Sequence, residues 1–111
     1  MSELRKYTVE FLKILADPSR LEILDLLKNN EMNSSEIQEI LKRSQSTISK
    51  HLNMLVENNL LSFEKRNNVK YYKIENQYVF NLLSNISSIV AEINKEKLKD
   101  LRDVDIYNTL L

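Results

Sequence analysis

Between Ser44 and Asn53 the chain gathers side chains suited to holding a polyanion and reading its edges. Gln45, Ser46, Thr47, Ser49, Lys50 and Asn53 fall there, and no acidic residue occurs from position 40 to 56. Gln and Asn can pair bidentately with adenine, Ser and Thr hydroxyls reach phosphates and bases, and Lys neutralises phosphate. A carboxylate in that stretch would be repelled by a phosphate backbone. A face serving only solubility would more often carry Glu and Lys pairs four apart. Lys65, Arg66 and Lys70 form a second cationic group around Asn67-Asn68. The competing readings are a solvated helix face and a hairpin edge that lysines protect from aggregation.

Other candidates lead elsewhere. His51 is the only histidine, and one histidine makes neither a catalytic triad nor a metal site. It is either a phosphate or base contact or a packed helix residue. Glu92, Glu96 and Asp100 lie four apart, but Lys95, Lys97 and Lys99 interleave with them, which reads as an ion-paired surface. Arg20 reads as a structural ion-pair partner. No nucleophile–base pair, phosphate loop or metal cluster is visible, so no catalytic residue, metal or cofactor is expected.

These residues need elements to position them. Leu4, Tyr7, Thr8, Phe11, Leu12 and Leu15 recur at helical spacing. Asp17-Pro18 then supplies an N-cap and a first-turn proline for a helix carrying Leu21, Ile23, Leu24 and Leu27. That helix is expected to close at Asn29-Asn30, with asparagine taking the left-handed turn that glycine usually provides. Asn33 and Glu36 form a capping box ahead of a short helix with Ile37, Ile40 and Leu41. Ser44 caps the next, whose apolar positions are Ile48, Leu52, Leu55 and Val56, up to Asn58-Asn59. Residues 60–66 and 69–74 alternate as strands, with Asn67-Asn68 as a type I′ turn. From Asn76 a helix runs through Ile93, with a charged helical continuation over 94–105.

The expected fold is therefore mainly α with a small β-hairpin, in the order α-α-α-α-β-β-α. A short helix, a three-residue connection and a second helix make a helix-turn-helix over 34–57; the hairpin over 61–74 is its wing. All of 1–111 reads as one domain.

Composition narrows the function further. The chain has 111 residues, 42% hydrophobic and 29% charged, and contains neither cysteine nor glycine. Without cysteine there are no disulfides, thiolate metal sites or thiol nucleophiles. Without glycine, phosphate-cradling loops and dinucleotide turns are not expected. No apolar run approaches the ~18–20 residues of a membrane span. The 16 basic and 16 acidic residues balance, yet the middle is cationic. Residues 42–73 hold Lys42, Arg43, Lys50, Lys65, Arg66, Lys70 and Lys73 against Glu57 and Glu64.

Three blocks carry a family resemblance: LADPSRLEILDLL (15–27), SQSTISKHLNMLVENNLL (44–61) and KRNNVKYYKI (65–74). Together they resemble the ArsR/SmtB family of winged-helix transcriptional repressors, over roughly residues 8–83. The resemblance implies a homodimer, built from the first and last helices, that binds operator DNA and releases it when an effector binds. It carries recognition onto Gln45, Ser46, Thr47, Ser49, Lys50 and, at the edge, His51. Metal-sensing members have cysteines where this chain has Asn33 and Ser35, and others use histidines on the last helix, which this sequence lacks. Any effector is then not a thiol-ligated metal.

The expectations are concrete. Ser44, Gln45, Ser46, Thr47, Ser49, Lys50, His51 and Asn53 face double-stranded DNA, and Lys65, Arg66 and Lys70 hold its backbone. Residues 4–15 and 76–100 form dimerisation helices, with Leu4, Phe11, Leu82, Ile86, Ile89, Val90 and Ile93 at the interface. Leftover apolar stripe argues for that dimer independently of the resemblance. The expected location is cytoplasmic, with no membrane partner. The alternative function is a winged-helix protein-interaction module.

Overall fold

The computed structural model describes residues 2–101. Helix α1 covers Ser2–Leu15, α2 Pro18–Leu26, α3 Ser34–Leu41, α4 Gln45–Glu57, α5 Gln77–Ile93 and α6 Lys95–Leu101. The strands are β1 Met32–Asn33, β2 Ser62–Arg66 and β3 Val69–Lys73. The order expected from the sequence is present, with two additions. One is β1, a two-residue strand that pairs antiparallel with β3 and gives a sheet of order β1-β3-β2. No period-2 pattern can show in two residues, so this strand was invisible to sequence reasoning. The other is a break at Asn94, which divides the last helix into α5 and α6. The part of the expected continuation beyond residue 101 lies outside the described residues.

Local chemistry sets most boundaries. The Asp17 side chain accepts from the Arg20 N–H at 3.1 Å and starts α2 behind Pro18. Asn33 and Glu36 complete both halves of a capping box on α3, each bond 2.9 Å. Ser44 Oγ accepts from the Thr47 N–H to begin α4, and Asn76 Oδ1 caps α5 through Tyr78. The hairpin turn is as expected, since Asn67 and Asn68 take φ of 52° and 64°.

The end of α2 is a correction. Neither Asn29 nor Asn30 is left-handed; among the described residues only Lys42, Asn59, Asn67 and Asn68 have positive φ. Instead the last turn tightens. The Leu27 N–H reaches the Ile23 carbonyl and the Lys28 N–H reaches that of Asp25, a three-residue closure that needs no left-handed residue. Lys42 takes the left-handed position after α3, with φ 54° and ψ 50°. Its own N–H and that of Arg43 both bond the Gln38 carbonyl, so one acceptor at the helix end takes two donors.

The core lies between these pieces. Ile23 and Leu24 of α2, Ile37 of α3, and Ile48, Leu52 and Leu55 of α4 are fully buried together with Leu60 and Leu83. Tyr72 seals the sheet side, its ring 5.7 Å from that of Phe63. Burial raises the Tyr72 phenol above its usual pKa. Three helices meeting on one apolar cluster fix α3 and α4 as a rigid helix-turn-helix. The radius of gyration is 15.2 Å, above the ~13 Å of a compact domain near this length.

Candidate nucleic-acid interface

Helix α4 separates its faces cleanly. Ile48, Leu52 and Leu55 go to the core, which leaves Gln45, Ser46, Lys50 and Asn53 exposed and Thr47 and Ser49 half-buried beside them. Ser44 Oγ bonds Thr47 Oγ1 at 2.9 Å, and Gln45 Nε2 donates to Ser49 Oγ at 2.9 Å. The first turn thus carries a small hydroxyl–amide network whose members keep spare donors and acceptors. Ser44 is part of that network as the helix cap. No carboxylate lies on α4 before Glu57.

His51 is turned inward. It is half-buried, with Nδ1 3.3 Å from the Arg20 guanidinium. Desolvation, with Arg20, Lys50 and Arg43 nearby, outweighs the Asp17 carboxylate and lowers its pKa from the usual value. Arg20 is a structural residue, as its setting after Asp17-Pro18 suggested.

The wing sorts its cations. The register sets Lys65 opposite Lys70 and Arg66 opposite Val69. Side chains alternate across a sheet, so Lys65 and Lys70 share one face with Phe63, and Arg66 shares the other with Glu64 and Tyr71. Two lysines directly opposite repel one another in the absence of an anion. Lys70 rests its ammonium 4.6 Å above the Phe63 ring, and Lys65 makes no ion pair among the described residues.

Arg66 is committed elsewhere. It donates to Glu31, approaches Glu64 at 3.6 Å and stacks 4.0 Å above Tyr71. Its pKa rises, first through the bond to Glu31. This changes the expectation that Arg66 stands free for phosphate. Glu31 was missed in the sequence because its neighbour strand β1 was missed. Arg43 is likewise occupied, bonding Ser19 Oγ at 2.7 Å and Glu22 at 2.8 Å; it clamps the turn to α2 rather than facing outward.

The expected dimer residues divide. Leu4, Ile89, Val90 and Ile93 are exposed, Leu4 at 66% and Ile93 at 75%, in company with Tyr7 and Leu12. Phe11, Leu82 and Ile86 instead pack partly against the chain's own core. Among the described residues no three His, Asp or Glu side chains gather to hold a metal. Glu92 and Glu96 are exposed, with Lys95 bonded to Glu92 at 3.3 Å. No described helix is long and apolar enough to cross a membrane.

Comparison with known proteins agrees with this geometry. Residues 17–62 match the family described as bacterial regulatory protein, arsR family. The arsenical resistance operon repressor of Staphylococcus xylosus is 38% identical over 78 residues, covering 70% of this chain and 75% of that one. The crystal structure of NolR from Sinorhizobium fredii superposes with a TM-score of 0.74 at 33% identity, over 79% of this chain and 88% of that one. The homodimeric winged helix-turn-helix DNA-binding domain Mb0332 from Mycobacterium bovis gives 0.77 at 26% identity, over 82% and 84%.

Proposed function

The chain belongs to the arsR family of bacterial regulatory proteins, and on that premise we propose that it is a homodimeric repressor that reads its operator with the first turns of α4. The observation that carries this reading is the exposed, acid-free face of α4. Gln45, Ser46, Lys50 and Asn53 point away from a core that holds every large apolar residue of the helix's inner face. Such a face can enter a major groove without carboxylate repulsion, while amide and hydroxyl groups test base edges.

The lysines of the wing add backbone affinity. Lys65 and Lys70 repel each other across the hairpin, and a phosphate between them would relieve that repulsion. The exposed apolar side chains of α1 and α5 support the dimer, because a patch of that kind is normally an interface. A two-fold pair of α4 helices then reads a palindromic site with half-sites about one helical turn apart. A protein acting on DNA in this way works in the cytoplasm.

The relative from Staphylococcus xylosus is named for arsenical resistance, but this chain has no cysteine to bind a soft metal. Its effector, where one acts, is a small organic ligand, a hard cation or a protein. Selection of bound sequences from a random DNA pool tests the proposal. Enrichment of a symmetric site supports it; retention of no sequence over random DNA overturns it.

A further inference from the structure

We propose that Arg20 and His51 are a positioning pair: the neutral His51 ring, held by Arg20, fixes the recognition helix against the end of α1, and its protonation weakens DNA binding. The inference rests on reading α4 as the DNA-facing helix.

Helix α1 ends at Leu15. Its last four carbonyls have no partner inside the helix. Leu12 O takes the Ala16 N–H and Leu15 O takes that of Asp17. The remaining two go to one side chain, since Arg20 Nε donates to Ile14 O at 2.6 Å and Nη2 to Lys13 O at 3.4 Å. Arg20 therefore caps α1. Its remaining nitrogen, Nη1, faces His51 Nδ1 at 3.3 Å and Asp17 Oδ2 at 3.9 Å. One guanidinium, its side chain only 13% exposed, joins the end of α1, the start of α2 and the middle of α4.

The chemistry of this contact has a sign. Arginine can only donate, so Nδ1 must accept, which leaves the neutral ring's single proton on Nε2. Protonation puts an N–H on Nδ1, donor facing donor and cation facing cation. Around the ring, the Asp17 carboxylate favours the charged form, while Arg20 of α2, Arg43 of the turn and Lys50 of α4 oppose it. Burial opposes it most. A histidine whose folded pKa is depressed contributes stability above its unfolded value near ~6.5, and that stability is lost as pH falls through the folded value. A ring contacting phosphate would behave oppositely, since a new positive charge beside DNA tightens binding.

The test is operator affinity of the full chain at fixed salt from pH 8.0 to 5.5, for the wild type and His51→Gln. Gln can accept from Arg20 and does not titrate. Wild-type affinity should fall about two- to fivefold more than that of His51→Gln across this range. Wild-type binding that tightens with acid relative to His51→Gln, or identical profiles, would overturn the proposal. DNA-free measurements separate its failure from that of the DNA-binding reading. His51 is the only histidine, so its ring resonance is unambiguous. It should titrate below its ordinary value, and the wild-type Tm should fall with acid more steeply than that of His51→Gln. An ordinary titration and parallel Tm profiles would overturn the tie even for a chain that bound no DNA.

Discussion

Arg66, the last residue of β2, donates to the carboxylate of Glu31, 35 positions earlier in the chain. The bond pins the wing to the turn that leads into β1, with the guanidinium lying over the Tyr71 ring. One wing cation is thereby neutralised in the free protein. Glu31→Gln should release it and tighten binding to operator and random DNA alike, by about two- to fivefold at low salt. Fluorescence anisotropy titrations on both DNAs check this. Unchanged or weakened binding would mean that the bond positions the wing instead of masking it.

Asn33 has a structural task where metal-sensing relatives of the resemblance carry a cysteine. It closes the capping box of α3 with Glu36. Asn33→Ala should lower stability by about 1 kcal/mol, read as a lower urea midpoint at constant slope. A neutral substitution would mean that α3 is held by packing alone.

Because that position is a cap and the sequence contains no cysteine, soft metals have no thiolate to bind. Zinc, cadmium or arsenite in modest excess should leave operator affinity within about twofold of its starting value. Sub-micromolar zinc that abolished binding would contradict this.

The exposed stripe of Ile89 and Ile93 on α5, with Leu4 and Tyr7 on α1, should be covered by a second copy. The unmutated protein should sediment at twice its 13.1 kDa chain mass. Ile89→Glu should shift it to monomer and weaken operator binding together. A monomeric unmutated chain would end the dimer reading.

What the sequence made legible follows from range. The caps at Asp17, Asn33 and Ser44, the Asn67-Asn68 turn and the stripes of α1, α3 and α4 are written within four residues of one another, where spacing and side-chain chemistry act directly. The strand β1 could not be read because two residues carry no period and their pairing with β3 is long-range. The fate of the cations was half-legible. Alternation alone separates Lys65 and Lys70 from Arg66, but the partners of Arg66 and Arg43 come from Glu31, Glu64, Ser19 and Glu22, most of them brought near only by the fold. The inward turn of His51 depended likewise on Arg20, 31 positions away.

The division of labour between helix and wing is tested most directly by titrating Gln45→Ala and Lys65→Ala against salt, on the selected operator and on random DNA. With Arg66 and Arg43 occupied, Lys50, Lys65 and Lys70 give a dimer about six phosphate contacts, and so a slope of log affinity against log salt near about −5. Gln45→Ala should cost about 1–3 kcal/mol per lost base contact on the operator and little on random DNA, leaving that slope unchanged. Lys65→Ala should weaken both DNAs alike and flatten the slope by about two. If Lys65→Ala altered sequence preference while Gln45→Ala left it untouched, the roles assigned to α4 and the wing would be contradicted.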